Sequence, residues 1–170
     1  EVSDCDLAIL FVPEYRYGSF QPSEFSYSRV VDQLGNLHLQ EGTPKILMMG
    51  EFICGQSLED TEAALSEILG YLINRKCLPI VIGGSKDLTY CGYKAFANED
   101  SIVNITAVDT MLNLEGARGY IGRIIKEQPN FLFNYSNLAY QSYYVSQEEL
   151  RLADELFFEA ERLGNIRNDV

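Results

Sequence analysis

The chain has 170 residues, enough for one domain with a hydrophobic core, and 46% of them are hydrophobic, as in ordinary soluble proteins. A formal net charge of −12 argues against nucleic acids and anionic membrane surfaces, because both require basic patches. No apolar run approaches the roughly 18 residues of a membrane span. We therefore predict a single domain over residues 1–170 that binds neither nucleic acid nor membrane.

The 4 cysteines are Cys5, Cys54, Cys77 and Cys91, and no two of them form a C-x-x-C pair. Their wide spacing disfavours a zinc site or a redox motif. Because most of them lie beside apolar runs, we predict buried, reduced thiols in a cytoplasmic protein. The acidic first residues, which lack the basic region of a secretory signal, favour the same location.

The first third of the chain predicts a strand, a long loop, a helix and a second strand. The first buried strand covers residues 6–12, and the second covers residues 45–49. Residues 14–27 show no hydrophobic period, so they form either a functional loop or a surface excursion held by its own tyrosines and phenylalanines. Residues 28–39 predict a helix with a weak point at Gly35.

The next helix is predicted from its start signal. Ser57 and Asp60 have the spacing of a capping box. Apolar residues then recur at helical spacing and form one stripe, which ends near Arg75 and Lys76.

The centre of the chain predicts a strand, a tight turn and a helix. Residues 78–82 are apolar and too few for a helix, so they predict a fully buried strand. Gly83 and Gly84 allow a sharp turn and a close approach of other backbone. Asp87 is placed to cap a helix over residues 88–97.

Two strand ends carry the polar residues of a candidate site. The first is the glycine turn, which brings Ser85 and Lys86 to the carboxyl end of its strand. The second follows a strand over residues 101–109 and continues through the polar residues 109–113. Because open α/β sheets bind ligands at the carboxyl ends of parallel strands, both ends are expected near any site.

The last third predicts a short helix over residues 120–127 and a tyrosine-rich segment over residues 131–145 that begins as a strand. These tyrosines either fill the core or line a pocket or partner surface. A second capping box begins a helix over residues 146–163, which Gly164 ends. The predicted buried stripe of this helix is Leu150, Ala153, Phe157 and Ala160. Strands that alternate with helices predict the α/β class, as a three-layer α/β/α sandwich with a mainly parallel sheet.

Four segments resemble the ureohydrolases, the family of arginase, agmatinase and formimidoylglutamase. Residues 6–14 resemble the family's opening strand, and residues 79–84 resemble the strand before its Gly-Gly-Asp-His motif. Residues 105–114 lie where the family has Asp-Ala-His-x-Asp, and residues 132–137 resemble a formimidoylglutamase-like branch. The similarity runs over nearly the whole chain, as the N-terminal portion of the family fold.

The resemblance implies two manganese ions that activate a bridging water for attack on a guanidinium or formimino carbon. It also implies a small amidine-like ligand and a homo-oligomer. The sequence departs from the family at the ligand positions. The two histidines fall on Lys86 and Met111, one aspartate falls on Asn113, and only Asp109 keeps a metal-binding side chain. The single histidine, His38, lies outside every matched motif and is predicted to be a surface or capping residue instead of a metal ligand.

Two arrangements of Lys86 and Asp109 are open. Lys86 occupies the former metal position and pairs with a buried Asp109, or Lys86 faces solvent while Asp109 caps the following turn. Two functions are open as well. The chain is a homologue without the two-manganese site that binds or supports a partner, or it is a manganese-dependent hydrolase of C–N bonds in linear amidines. On the first hypothesis there is no catalytic residue and no cofactor, and the substrate-binding residues are unknown.

Overall fold

We analysed a computed structural model, which describes residues 5–16, 27–38, 40–115 and 119–168. The chain divides into two compact units, Glu1–Cys91 and Gly92–Val170. Each unit is described by itself, and the single domain over residues 1–170 stays a prediction.

The first unit contains a three-stranded parallel sheet with the strand order β2-β1-β3. Its elements are β1 (Leu7–Phe11), α1 (Tyr27–Gly35), β2 (Ile46–Glu51), α2 (Leu58–Asn74) and β3 (Leu78–Ile82). The central strand β1 is the most buried, with Ala8 packed against Leu72 of α2 and Cys77. The predicted order of strands and helices is therefore confirmed in this unit.

The end of α1 and the start of α2 lie where the sequence predicts them. The helix α1 ends at Gly35, the predicted weak point. At α2, the Ser57 hydroxyl accepts a hydrogen bond from the Asp60 amide at 3.0 Å, and the Asp60 carboxylate accepts one from the Ser57 amide at 3.1 Å. The predicted capping box is confirmed.

Two predictions around β3 are wrong. The strand is not fully buried, because Leu78 is 60% and Ile80 38% exposed. In the described residues β3 has a strand neighbour on one side only, which leaves its apolar residues at an edge. Asp87 does not cap a helix either, because it lies inside a 3₁₀ turn (Lys86–Leu88) that precedes α3 (Thr89–Ala97).

The prediction of four reduced thiols is wrong for one pair, because Cys5 and Cys77 form a disulfide. They precede β1 and β3, which are neighbours in register, and their Cα atoms are 5.8 Å apart. This separation lies within the range that a disulfide spans. Cys91 is a buried thiol, and Cys54 is half-buried.

The second unit contains another three-stranded parallel sheet, with the order β4-β5-β6. Its elements are β4 (Val103–Val108), α4 (Tyr120–Ile125), β5 (Leu132–Tyr140), α5 (Gln147–Glu155), β6 (Glu159–Arg162) and α6 (Leu163–Asn168). All strand pairs in the described residues of both units are parallel, so the predicted α/β class is confirmed.

The long helix predicted over residues 146–163 is wrong in its second half. Its capping box is present, but α5 ends at Glu155 and Phe157 has a left-handed φ of 59°. The chain then pairs with β5 as β6, so Phe157 is 89% exposed instead of buried. The Phe158 ring packs edge-on against Tyr135, with 5.6 Å between ring centroids. Strand pairing and this aromatic contact outweigh the local helical pattern.

Among the residues that the structure describes, no helix has the length and apolar character needed to cross a membrane.

Candidate functional site

The polar segment after β4, which we call the β4 loop (residues 109–115), is held by hydrogen bonds to the Asp109 carboxylate. Oδ2 of Asp109 accepts from Nδ2 of Asn113 at 3.1 Å, and Oδ1 accepts from the Met111 amide at 3.2 Å. Asp109 therefore caps its own turn, which is the role that the second sequence-based arrangement gave it.

Asn113 is the centre of this loop. Its φ of 58° lies in the left-handed region, which asparagine tolerates better than most residues, and it is only 5% exposed. Besides its bond to Asp109, its amide donates to the Met111 carbonyl at 3.0 Å. Its own carbonyl accepts from the Ile121 and Gly122 amides of α4. Asn113 thus joins the loop to the helix that follows it.

Two buried side chains of β5 donate hydrogen bonds to backbone carbonyls of the β4 loop. The Tyr135 hydroxyl donates to the Leu112 carbonyl at 2.9 Å. The Asn137 amide donates to the Met111 carbonyl at 2.9 Å and to the Tyr135 hydroxyl at 3.2 Å. Burial raises the pKa of Tyr135, so its hydroxyl stays a neutral donor at physiological pH. The sequence placed Tyr135 in a tyrosine-rich segment, but nothing in the pattern marked Asn137.

Glu149 links the same loop to α5. One carboxylate oxygen accepts from the Ser146 amide at 3.2 Å and completes the capping box, while the other accepts from the Leu114 amide at 3.2 Å. The side chain is only 7% exposed. Glu149 therefore serves both the capping box of its own helix, which the sequence predicts, and a tertiary contact with the β4 loop, which it does not.

The glycine turn after β3 has the geometry predicted for it. Gly83 and Gly84 have φ angles of 95° and 79°. The Ser85 amide donates to the Glu14 carbonyl at 2.8 Å, so the turn lies directly against the segment after β1. The close approach of backbone is confirmed, and Lys86 is an exposed residue of the 3₁₀ turn at the carboxyl end of β3.

A buried carboxylate in the first unit was not anticipated. Glu14 is 2% exposed, and its carboxylate accepts from the Arg16 guanidinium through several hydrogen bonds. Arg16 also donates to the Gln56 carbonyl at 2.8 Å, the Ser57 carbonyl at 3.1 Å and the Thr61 hydroxyl at 2.9 Å. The segment after β1 is thereby fastened to the start of α2. The only sequence signal was an acidic and a basic residue two positions apart, which is too common to be informative.

The Glu14 carboxylate should make the stability of the wild type depend on pH in a defined direction, and replacing it should remove that contribution. Hydrogen bonds from Arg16 hold the pKa of Glu14 below its ordinary value of 4.5. A lowered pKa contributes stability above the unfolded-state pKa, and this contribution is lost as the pH falls through the folded-state pKa. We expect Glu14→Gln to reduce the free energy of unfolding by about 1–2 kcal/mol near neutral pH.

Urea denaturation of wild type and Glu14→Gln across the acidic range measures this difference. The difference in the free energy of unfolding between the two proteins should become smaller as the pH falls below about 4.5. Glu67→Gln, an exposed substitution on α2, is the matched control and should leave stability nearly unchanged. A gap that stays constant with pH would contradict the assigned role.

Three of the four positions that correspond to family ligands lie together in the β4 loop. These are Asp109, Met111 and Asn113, whereas Lys86 lies in the first unit. The pairing of Lys86 with Asp109 stays a prediction. His38 is exposed, as predicted, and the part of the loop predicted over residues 17–26 lies outside the described residues.

The residues at these positions do not fit a pair of manganese ions. They offer an ammonium, a thioether, one carboxylate and an amide whose nitrogen is directed at that carboxylate. Manganese prefers hard oxygen and imidazole ligands. Within the described residues, no three histidine, cysteine, aspartate or glutamate side chains are grouped so as to hold a metal.

The fold of the chain is similar to that of solved structures from the arginase superfamily. An arginase superfamily protein from Trypanosoma cruzi superimposes with a TM-score of 0.83 at 16% identity, over 99% of this chain and 63% of that chain. The resemblance to ureohydrolases and the arginase-like fold class are thus confirmed at the level of the fold.

Two further solved structures are similar at comparable identities. Formiminoglutamase from T. cruzi with Mn²⁺ has a TM-score of 0.83 and 16% identity, over 99% of this chain and 63% of its own. Formimidoylglutamase from Bacillus subtilis has a TM-score of 0.78 and 14% identity, over 99% and 61%. The chain therefore spans about three fifths of the length of these structures. No family model and no curated protein matches the sequence.

Proposed function

We propose that the chain is a ureohydrolase-fold protein that has lost the two-manganese site and acts as a non-catalytic or binding homologue. One observation carries this proposal: the Asp109 carboxylate accepts hydrogen bonds from Asn113 and from the loop backbone. An amide donor stands where the family pattern has a second carboxylate. These bonds from the loop's own groups stabilise the negative charge of the half-buried Asp109 carboxylate.

The hydrogen bonds from neighbouring side chains favour a β4 loop that keeps the family's backbone conformation without its metal ligands. Backbone groups of the loop form hydrogen bonds with three side chains, those of Tyr135, Asn137 and Glu149. Of the positions that correspond to family metal ligands, only Met111 takes part in these bonds, through its backbone carbonyl. Such a loop can still present a ligand surface at the carboxyl end of β4. The proposed occupant is a small amidine-like molecule, and a homo-oligomer in the cytoplasm is the proposed context.

The alternative is a manganese-dependent hydrolase of linear amidines. It is favoured by the fold shared with a formiminoglutamase whose structure contains Mn²⁺. Because the chain spans only part of the length of that protein, activity of the whole protein is part of this alternative.

Metal content after manganese loading distinguishes the two functions. We expect the purified chain, dialysed at neutral pH and measured by inductively coupled plasma mass spectrometry, to hold no manganese above background. About two manganese ions per chain would overturn the proposal and support the hydrolase. In that case, assays for release of urea or formamide should follow.

A variant that restores ligands within the β4 loop is the positive comparison. Met111→His/Asn113→Asp replaces the bond from Asn113 to Asp109 by two facing carboxylates, so its thermal midpoint without metal should fall below that of wild type. Manganese should raise the midpoint of the variant and leave wild type unchanged. If manganese stabilises both proteins equally, the exchange of these ligands for Met111 and Asn113 is not what separates this chain from a manganese-binding protein.

A further inference from the structure

We infer that the second unit carries a binding pocket for a small oxyanion, a carboxylate or a phosphate, between the carboxyl ends of β5 and β6. The pocket has a volume of about 170 Å³. Its polar lining consists of Tyr140, Gln141, Ser142, Tyr143, Arg162 and Arg167. This inference does not depend on the proposed function, because none of these residues belongs to the β4 loop.

The position of the pocket follows from the strand that the sequence pattern missed. β5 ends at Tyr140 and β6 ends at Arg162, and these two residues are register partners in parallel strands. Arg167 comes from α6, which begins directly after β6. Carboxyl ends of adjacent parallel strands are where open α/β sheets bind ligands.

The charge of the pocket is opposite to that of the chain. The whole chain has 25 acidic and 13 basic residues, yet two arginines converge here. Of the residues that the structure describes, none that lines the pocket is acidic. Glu161 is adjacent to Arg162 in sequence, but the alternation of a strand directs neighbouring side chains to opposite faces. The pocket is therefore a local positive site on an acidic protein.

Both guanidinium groups are accessible to a ligand. Within the described part of the chain, neither arginine makes an ion pair or a side-chain hydrogen bond. The Arg162 guanidinium lies beside Gly164, where an added Cβ atom would be 3.9 Å from the central guanidinium carbon. This separation is an ordinary van der Waals contact, so the main chain at Gly164 lies close to the guanidinium group without crowding it.

The chemistry of these side chains selects an oxyanion. Guanidinium groups bind carboxylate and phosphate oxygens through paired, charge-assisted hydrogen bonds. The Ser142 hydroxyl and the Gln141 amide add neutral donors, and the tyrosines supply flat apolar walls. Pockets for drug-sized ligands usually measure about 300–1,000 Å³, so this smaller volume suits a small acid or the anionic end of a larger one.

Isothermal titration calorimetry of the 170-residue chain with succinate and with inorganic phosphate tests this inference. At low ionic strength we expect saturable binding of at least one probe in the millimolar range, and the stronger of the two identifies the oxyanion. Arg162→Gln/Arg167→Gln should weaken binding at least about tenfold, whereas Arg167→Lys should lose less because it keeps the charge. Sodium chloride at matched ionic strength serves as the reference titration.

Arg151→Gln is the matched control, because it removes the same charge from an exposed helix in the same unit and should bind like wild type. If the double variant does not fold, Arg167→Gln alone, at an exposed position of α6, keeps the test intact. The inference is overturned if neither probe binds saturably, or if the arginine variants bind as tightly as the Arg151 control.

Discussion

Asn137→Asp is expected to reduce the free energy of unfolding by about 3 kcal/mol or more near neutral pH. Asn137 is completely buried, and its amide donates to the Met111 carbonyl and the Tyr135 hydroxyl. A carboxylate has no hydrogen to donate at either bond. It would also be a buried negative charge, because no cationic group is bonded to this side chain in the described residues.

The pH dependence of this variant has a definite sign. Burial raises the folded-state pKa of the introduced carboxyl above its unfolded value of about 3.9. The destabilisation therefore grows as the pH rises from the unfolded-state pKa towards the folded-state pKa, and it is relieved in acid where the carboxyl is protonated. Urea denaturation at about pH 7.5 and about pH 4.5, compared with wild type at each pH, measures the difference.

Asn104→Asp on β4 is the matched control, because it makes the same chemical change at an exposed position. Its effect should stay within about 0.5 kcal/mol. Equal losses for the two variants, or a loss in Asn137→Asp that does not change with pH, would show that Asn137 does not support the β4 loop as its contacts indicate.

The second large effect is expected at the glycine turn, where Gly84→Ala should reduce the free energy of unfolding by about 2–4 kcal/mol. The φ of 79° disfavours any residue with a Cβ atom. That Cβ atom would also lie 2.3 Å from Cδ1 of Leu88 and 2.8 Å from the Val12 carbonyl oxygen. The leucine can move, but the carbonyl belongs to the backbone after β1.

Gly92→Ala provides the control, because the residue lies in α3 and the added Cβ has no atom within 4 Å apart from its chain neighbours and the nearby backbone of its own helix. It should be neutral or stabilising by up to about 1 kcal/mol. Chemical denaturation of both variants and of wild type measures the two changes in the free energy of unfolding. Similar stabilities for Gly84→Ala and Gly92→Ala would mean that the turn adjusts and that the close approach is unimportant.

The features that sequence reasoning predicted correctly are those that depend on neighbours along the chain. The capping boxes at Ser57 and Ser146, the strand before Gly83 and the role of the glycines all follow from side-chain size, hydrogen-bonding capacity and allowed backbone angles over a few residues. The departure of Lys86, Met111 and Asn113 from a metal-binding pattern is likewise visible without coordinates, because it is a matter of residue chemistry.

The features that it missed depend on residues far apart in the chain. Residues 156–163 continue a helical pattern, but pairing with β5 stabilises β6 instead and creates the arginine pocket. The Cys5–Cys77 disulfide depends on β1 and β3 being neighbours, and the Glu14–Arg16 cluster depends on the start of α2 lying beside them. Asn137 has a role only because the β4 loop folds over its strand. Local pattern thus specifies most of the elements. Long-range pairing and buried hydrogen bonds, which no short window contains, decide the exception at β6 and the contacts that the elements make with one another.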